Sequence, residues 1–273
     1  MLWYFAKYVG CGNDFIIFDN RNESFPYSDK KGIKGLCHRQ CGVGADGVIL
    51  LENSVKADFR MRIFNADGSE AEMCGNGIRC FVKYCHNLFP AKKSFTVETM
   101  HRLHKAAVEQ EGISVDMGDP TEFKEVTVPF QNQILDFHFI NTGVPHAVHF
   151  HPDIDTVELD QLGPYIRHHP SWGPPGTNVT LVQQLDKQRC KIRTFERGVE
   201  GETLGCGTGA AAATLAVARL HKLTGPLTID MKGGSLKIGF HNENGIFSNL
   251  TMTGPAFCTF QGHIAHLEQI QIH

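Results

Sequence analysis

The sequence predicts an α+β protein built from two similar halves. Three observations carry that prediction. Short apolar segments with a period of two, bounded by turn residues, dominate the chain, and helical patterns are few. The motif Cys-Gly-x-Gly occurs twice, at Cys74-Gly75-Asn76-Gly77 and at Cys206-Gly207-Thr208-Gly209, each opening a helical segment after an acidic, strand-like stretch. The two cysteines lie 132 residues apart (206 minus 74) in a chain of 273.

The elements follow in order. Phe15 to Phe18 reads as a strand ending at Asp19-Asn20, and Val48 to Leu51 as a second after the Asp46-Gly47 turn. Phe59, Met61 and Ile63 alternate with Arg60 and Arg62, the pattern of a half-buried strand. Ile78, Phe81, Val82 and Cys85 recur at helical spacing and predict one buried helix face. Ala106 to Met117, Leu135 to Asn141, Val179 to Leu185, Cys190 to Phe195, Leu227 to Met231 and Leu236 to Phe240 read as further strands. Ala210 to Ala218 reads as a buried helix, because small side chains admit neighbours on every side. One domain is expected over 1–118 plus 256–273, carrying Cys74, and a second over 119–255, carrying Cys206. The crossings fall near Gly118-Asp119-Pro120 and Gly254-Pro255.

Composition excludes several classes. Apolar residues make up 41% and charged residues 20%, so the chain is neither disordered nor collagen-like. A formal net charge of −3 gives no electrostatic reason to expect nucleic acid or an anionic membrane as partner. No apolar run reaches the roughly 18 residues of a membrane span. The leading run Met1 to Ala6 is too short for a secretory signal and stops at Lys7. Nine cysteines with no such signal fit a reducing cytoplasm. Cys37-His38 with Cys41 falls short of a four-ligand zinc set, so no metal is expected.

The two helix starts point to chemistry. A helix N-terminus presents unpaired N–H groups and partial positive charge, which stabilise a thiolate placed there. The glycines leave those N–H groups open to a ligand carboxylate. A cysteine on each side of a substrate carbon removes a proton from one face and returns one to the other, inverting a stereocentre. N–H groups aimed at the carboxylate stabilise the enediolate-like charge that develops, with no cofactor required.

Longer motifs carry a resemblance. Gly10-Cys11-Gly12-Asn13-Asp14-Phe15, Ile63-Phe64-Asn65-Ala66-Asp67-Gly68-Ser69-Glu70, Cys74 to Cys80, Phe195-Glu196-Arg197-Gly198 and Cys206 to Gly209 resemble the diaminopimelate epimerase family, pyridoxal-independent enzymes of lysine and peptidoglycan-precursor synthesis. Gly233 to Leu236 and Met252 to Pro255 extend the match, in order, to the C-terminal part. The resemblance implies two pseudo-symmetric α/β domains, each with strands wrapped as a sheet or barrel round a central helix, with the active site in the cleft between them. It implies Cys74 and Cys206 as the two bases, with Glu196 and His146 orienting or deprotonating them. Gly75, Asn76, Gly207 and Thr208 then offer backbone N–H groups to the α-carboxylate. Asn13, Asn65, Asn178 and Arg197 hold the distal amino acid group. The implied partner is a small amino acid substrate, and the implied assembly a homodimer. One departure stands out: Gly143-Val144-Pro145-His146 carries Val144 where the family usually has Asn. That loss of a polar contact predicts looser specificity, extending to smaller acidic amino acids such as glutamate.

Two other readings fit parts of the sequence. A related two-cysteine racemase acting on proline-type substrates retains the cysteine pair but not the Asn65 block. A thiol redox or metal-binding protein predicts a functional disulfide between Cys74 and Cys206, or a bound metal.

Overall fold

The computed structural model describes residues 2–71, 74–265 and 270. Met1 of the leading run, and 266–269 and 271–273 of the expected first domain, lie outside the described residues. The chain divides into two compact units, Met1–Val115 with Gly254–His273, and Asp116–Thr253.

The first unit contains β1 (Trp3–Gly10), β2 (Asn13–Asp19), α1 (Lys30–Cys37), β3 (Gly47–Glu52), β4 (Phe59–Asn65), β5 (Glu70–Ala71), α2 (Gly75–Leu88), β6 (Ser94–Glu98), β7 (Leu103–Glu109) and β8 (Gly112–Gly118), the last running into the second unit from Asp116. β1 and β2 pair antiparallel, β2 and β3 parallel, and β3 and β4 antiparallel. β4 then pairs antiparallel with β5 and parallel with β6, and β6–β7–β8 continue antiparallel.

The second unit contains β9 (Thr121–Phe130), β10 (Gln133–Asn141), β11 (Pro145–Phe150), α3 (Leu159–Arg167), β12 (Asn178–Gln184), β13 (Arg189–Glu196), β14 (Gly201–Thr203), α4 (Gly207–His221), β15 (Leu227–Met231), β16 (Gly234–Glu243) and β17 (Ile246–Gly254). From β10 the pairings run antiparallel to β11, parallel to β12 and antiparallel to β13. β13 pairs antiparallel with β14 and parallel with β15, and β15–β16–β17 are antiparallel. The ladder of the first unit is therefore repeated strand for strand. Even the flanking pair matches: β18 (Phe257–Ile264) lies antiparallel to β1, as β9 does to β10. The architecture is mixed α/β, and each parallel pairing is spanned by a crossover long enough to hold a helix.

Alternation along the strands places the helices. On β2, Phe15 and Ile17 face a core built on Ile78, Phe81, Val82 and Cys85 of α2, while Ile16 and Phe18 face Ile33 and Leu36 of α1. Both faces of that sheet are thus covered, and its strands are apolar on both sides. In the second unit, Leu159, Leu162 and Ile166 of α3 pack with Ala147, Val179 and Leu181. α4 is enclosed by β10 to β13, β15 and β16, and Ala210 to Ala218 are buried throughout.

One sequence reading changes. Ala106 to Met117 folds as two strands, β7 and β8, because Gly112 at φ +137° turns the chain between them. Lys7, which closes the leading apolar run, lies inside β1, where its ammonium is paired at 2.8 Å with Asp14. His38 spends Nδ1 accepting the amides of Gln40 and Cys41, a turn-stabilising use.

Candidate active site

In the first unit, β5 delivers the chain to Cys74, which is the N-cap residue of α2. Its backbone is extended (φ −141°, ψ 117°) and its sulfur accepts the Gly77 amide at 3.4 Å. A cysteine takes the place that Ser or Asp usually fills, so one orphan N–H of the first turn, that of Gly77, is met by sulfur. Gly77 fits because a Cβ there would lie 2.9 Å from Ile63 Cδ1.

Asn13 and Asn76 meet beside this helix start. Asn76 Nδ2 donates to Asn13 Oδ1 at 2.6 Å, and Asn13 Nδ2 donates to Asp46 Oδ2 at 2.9 Å. Arg79 is fully buried one helical turn further on. It donates to Asn76 Oδ1 at 2.7 Å and to Gly75 O at 3.1 Å. Asn13 opens β2 directly after the tight Cys11-Gly12 turn, both residues at positive φ (50° and 89°). Cys11 is buried, and burial pushes its thiol up while Arg79 pulls it back. Asn65 ends β4 opposite Gly47 of β3, and its amide donates to Ser69 Oγ at 3.0 Å, across the turn at Gly68.

In the second unit, β14 leads to Cys206, the N-cap residue of α4, also extended (φ −121°, ψ 107°). Cys206 is 6% exposed, and Sγ lies 3.4 Å from Thr208 Oγ1. Burial and the adjacent Glu196 carboxylate push its thiol well above the usual range; the Thr208 hydroxyl and the Gly209 amide oppose them. Glu196 itself is raised by burial, against hydrogen bonds from Thr203 Oγ1, at 2.5 Å, and from Cys206.

His146 is completely buried and does not bond the sulfur directly. Nε2 is 2.9 Å from Thr208 Oγ1 and Nδ1 is 3.1 Å from Thr180 Oγ1. Burial, helped by the Arg197 charge, lowers its pKa to about 3, so it is neutral at any ordinary pH. Thr180 and Thr194 are opposite one another on β12 and β13, with hydroxyls 3.4 Å apart. Asn178 commits both ends of its amide to backbone: Oδ1 accepts Arg197 N at 2.8 Å and Nδ2 donates to Pro145 O at 2.9 Å. It thereby ties the His146 strand to the Arg197 turn. The Arg197 guanidinium makes no ion pair or side-chain hydrogen bond among the described residues. Thr142 Oγ1 donates to Thr208 O at 2.9 Å and fixes the first turn of α4.

Asn13, Cys74, Gly75 and Asn76 are thus assembled in one unit, and His146, Asn178, Glu196, Arg197, Cys206, Gly207 and Thr208 in the other. Arg79, Thr142, Thr180, Thr194 and Thr203 escape sequence reasoning. Arg79 carried a signal, because an arginine on an apolar helix face requires buried partners. The threonines carried none, since β-branched residues are ordinary in strands.

Known proteins match this chain over nearly its whole length. The sequence model of the family described as diaminopimelate epimerase matches residues 5–123 and 138–258. A diaminopimelate epimerase of Flavobacterium psychrophilum is 40% identical over 257 residues, 93% of this chain and 97% of the relative. Another, from Methanocella arvoryzae, is 40% identical, covering 95% of this chain and 96% of the relative. Among solved structures, a phenazine biosynthesis protein of the PhzF family from Bacillus anthracis superposes with a TM-score of 0.76 at 16% identity, covering 97% of this chain and 99% of that one. A hydroxyproline epimerase from Agrobacterium vitis superposes at 0.69 and 16% identity, covering 96% of this chain and 92% of that one. The structural neighbours share the fold.

Proposed function

The chain belongs to the diaminopimelate epimerase family, isomerases that convert L,L-diaminopimelate to the meso form in lysine biosynthesis, and from that premise we propose a two-thiol mechanism for it. One sulfur, as thiolate, removes the α-proton; the other, as thiol, gives its proton to the opposite face of the same carbon. The protons balance: the thiolate ends as thiol and the thiol as thiolate, which readies the enzyme for the reverse reaction. The observation that supports this most is the matched placement of Cys74 and Cys206, each at the N-cap position of the central helix of its own unit, with extended backbone.

Burial and Glu196 favour the thiol form of Cys206, the form that gives a proton to the substrate carbon. The amides of Gly75, Asn76, Gly207 and Thr208 receive the α-carboxylate as it gains charge. Arg197, whose guanidinium is uncommitted, pairs the distal carboxylate, with Asn13 and Asn65 on the distal amino group. Asn178 holds Arg197 in place. No cofactor takes part. The enzyme works as a cytoplasmic homodimer on a small amino acid, without nucleic acid or membrane partners. Among the described residues no helix is long and apolar enough to cross a membrane.

Turnover of L,L-diaminopimelate in deuterated water tests the mechanism. Deuterium should enter the α-carbon, and Cys74→Ser and Cys206→Ser should each abolish most epimerisation. Near-normal turnover in either variant refutes the two-thiol reading. Val144, partly exposed beside the exposed Gly143, offers no polar contact to the distal group. We assign it a looser specificity, with slow racemisation of L-glutamate that Val144→Asn suppresses. A glutamate solution whose circular dichroism stays constant at high enzyme concentration ends that idea.

A further inference from the structure

We propose that Thr180 and Thr194 are positioning residues for the Cys206 chemistry: their hydroxyls hold His146 as the Nε2–H tautomer, which leaves the Thr208 hydroxyl hydrogen for the Cys206 sulfur. The inference rests on the two-thiol reading.

The polarity follows from the end of the chain of hydroxyls. Thr194 is 3% exposed, and its hydroxyl has one hydrogen-bond partner among the described residues, Thr180 Oγ1 at 3.4 Å. A buried hydroxyl that donates to nothing carries a desolvation penalty, so Thr194 donates to Thr180. The single hydrogen of Thr180 then goes to His146 Nδ1 at 3.1 Å. A neutral imidazole has one N–H. With Nδ1 accepting, that N–H is on Nε2 and donates to Thr208 Oγ1 at 2.9 Å. The single hydrogen of Thr208 is left pointing to Cys206 Sγ, 3.4 Å away. Every donor in the row faces Cys206.

The opposite polarity fails at both ends. Thr180 would donate to Thr194, whose own hydrogen would have no acceptor. Thr208 would donate to His146 and have nothing to offer the sulfur once it becomes thiolate. The adopted direction serves both forms of Cys206. As thiol, it accepts from Thr208 and directs S–H to Glu196; as thiolate, it keeps the Thr208 hydrogen bond, now charge-assisted. His146 therefore presents a hydrogen, not a lone pair, to Thr208, and acts on the sulfur through that hydroxyl. Gly209 makes room for the row, since a Cβ there would stand 3.0 Å from Thr194 Oγ1 and 3.2 Å from Thr180 Oγ1.

Two-bond proton–nitrogen spectra of the 15N-labelled full-length protein read the tautomer directly, with His146→Gln identifying the ring. Protonated Nε2 with unprotonated Nδ1 is expected; Nδ1–H overturns the proposal whether or not the enzyme epimerises. Thr180→Val should lower kcat about tenfold to hundredfold, the worth of one hydrogen bond to a charged sulfur, with KM little changed. Thr180→Ser, which keeps the hydroxyl, should restore it. Equal losses in the Val and Ser variants overturn the proposal. If Thr180→Val fails to fold, the wild-type spectrum alone decides. Failure of the two-thiol reading shows separately, as turnover retained in Cys206→Ser.

Discussion

Acidification should destabilise this protein through His146, in a direction that its burial sets. In the folded state burial holds the ring neutral, with its pKa lowered to about 3. In the unfolded chain it titrates near 6.5. Above that unfolded value both states are neutral and the contribution is complete. Below it, the unfolded chain takes up a proton that the folded chain refuses, so stability falls. From about pH 7 to about pH 5 the loss is about 2 kcal/mol, growing by about 1.4 kcal/mol per further unit until the folded value is reached. The size over this window depends on the unfolded pKa, because the folded one lies well below it. Gln at position 146 keeps a donor and an acceptor but does not titrate. Urea unfolding at the two pH values should therefore show wild type losing about 2 kcal/mol more than His146→Gln. His138 and His149 are also lowered by burial, but both proteins contain them and their contributions cancel in the difference. Equal losses in the two proteins would falsify the buried neutral imidazole, and with it the hydrogen-bond row to Cys206.

Three further outcomes are expected. Thr214 sits in α4 with a buried hydroxyl that has no hydrogen-bond partner among the described residues. Thr214→Val should stabilise by about 1 kcal/mol and raise Tm by roughly 2–4 °C, measured by calorimetry; a lower Tm means that the hydroxyl is satisfied. Gly209→Ala gains about 1 kcal/mol of helix propensity but pushes against the Thr180 and Thr194 hydroxyls, at a cost of about 1–3 kcal/mol. It should not raise Tm, and it should lower kcat; a more stable, fully active variant contradicts the packing. Iodoacetamide at neutral pH should label exposed Cys41 ahead of buried Cys206, whose thiol is pushed up. Mass spectrometry of early time points checks the order.

Much of this protein was legible before folding was considered, because the informative signals are local. The face of α2 follows from the spacing of Ile78, Phe81, Val82 and Cys85, all fully buried. The Ala-rich run has one use, a helix enclosed on every side. A cysteine before Gly-Asn-Gly or Gly-Thr-Gly reads as a helix cap, since cap geometry depends on the next three residues. What the local pattern missed was a turn: Gln110-Glu111-Gly112 lacks the usual hairpin pair, and the two strands it joins read as one.

Tertiary structure alone decided which distant groups share a bond. Asn13 reaches Asn76 only because β2 lies beside α2, and Thr180 faces Thr194 only through the register of β12 with β13. The strand-for-strand repeat of the pairing ladder is likewise absent from the sequence, since pairing is a relation between segments and many sequences satisfy it. Sequence by itself determined that two cysteines would stand at the N-cap positions of two helices, because where a helix starts is local chemistry. Only the fold decided that His146 would serve Cys206 through Thr208, because a neutral ring with one hydrogen takes its direction from whatever the surrounding strands place at its other nitrogen.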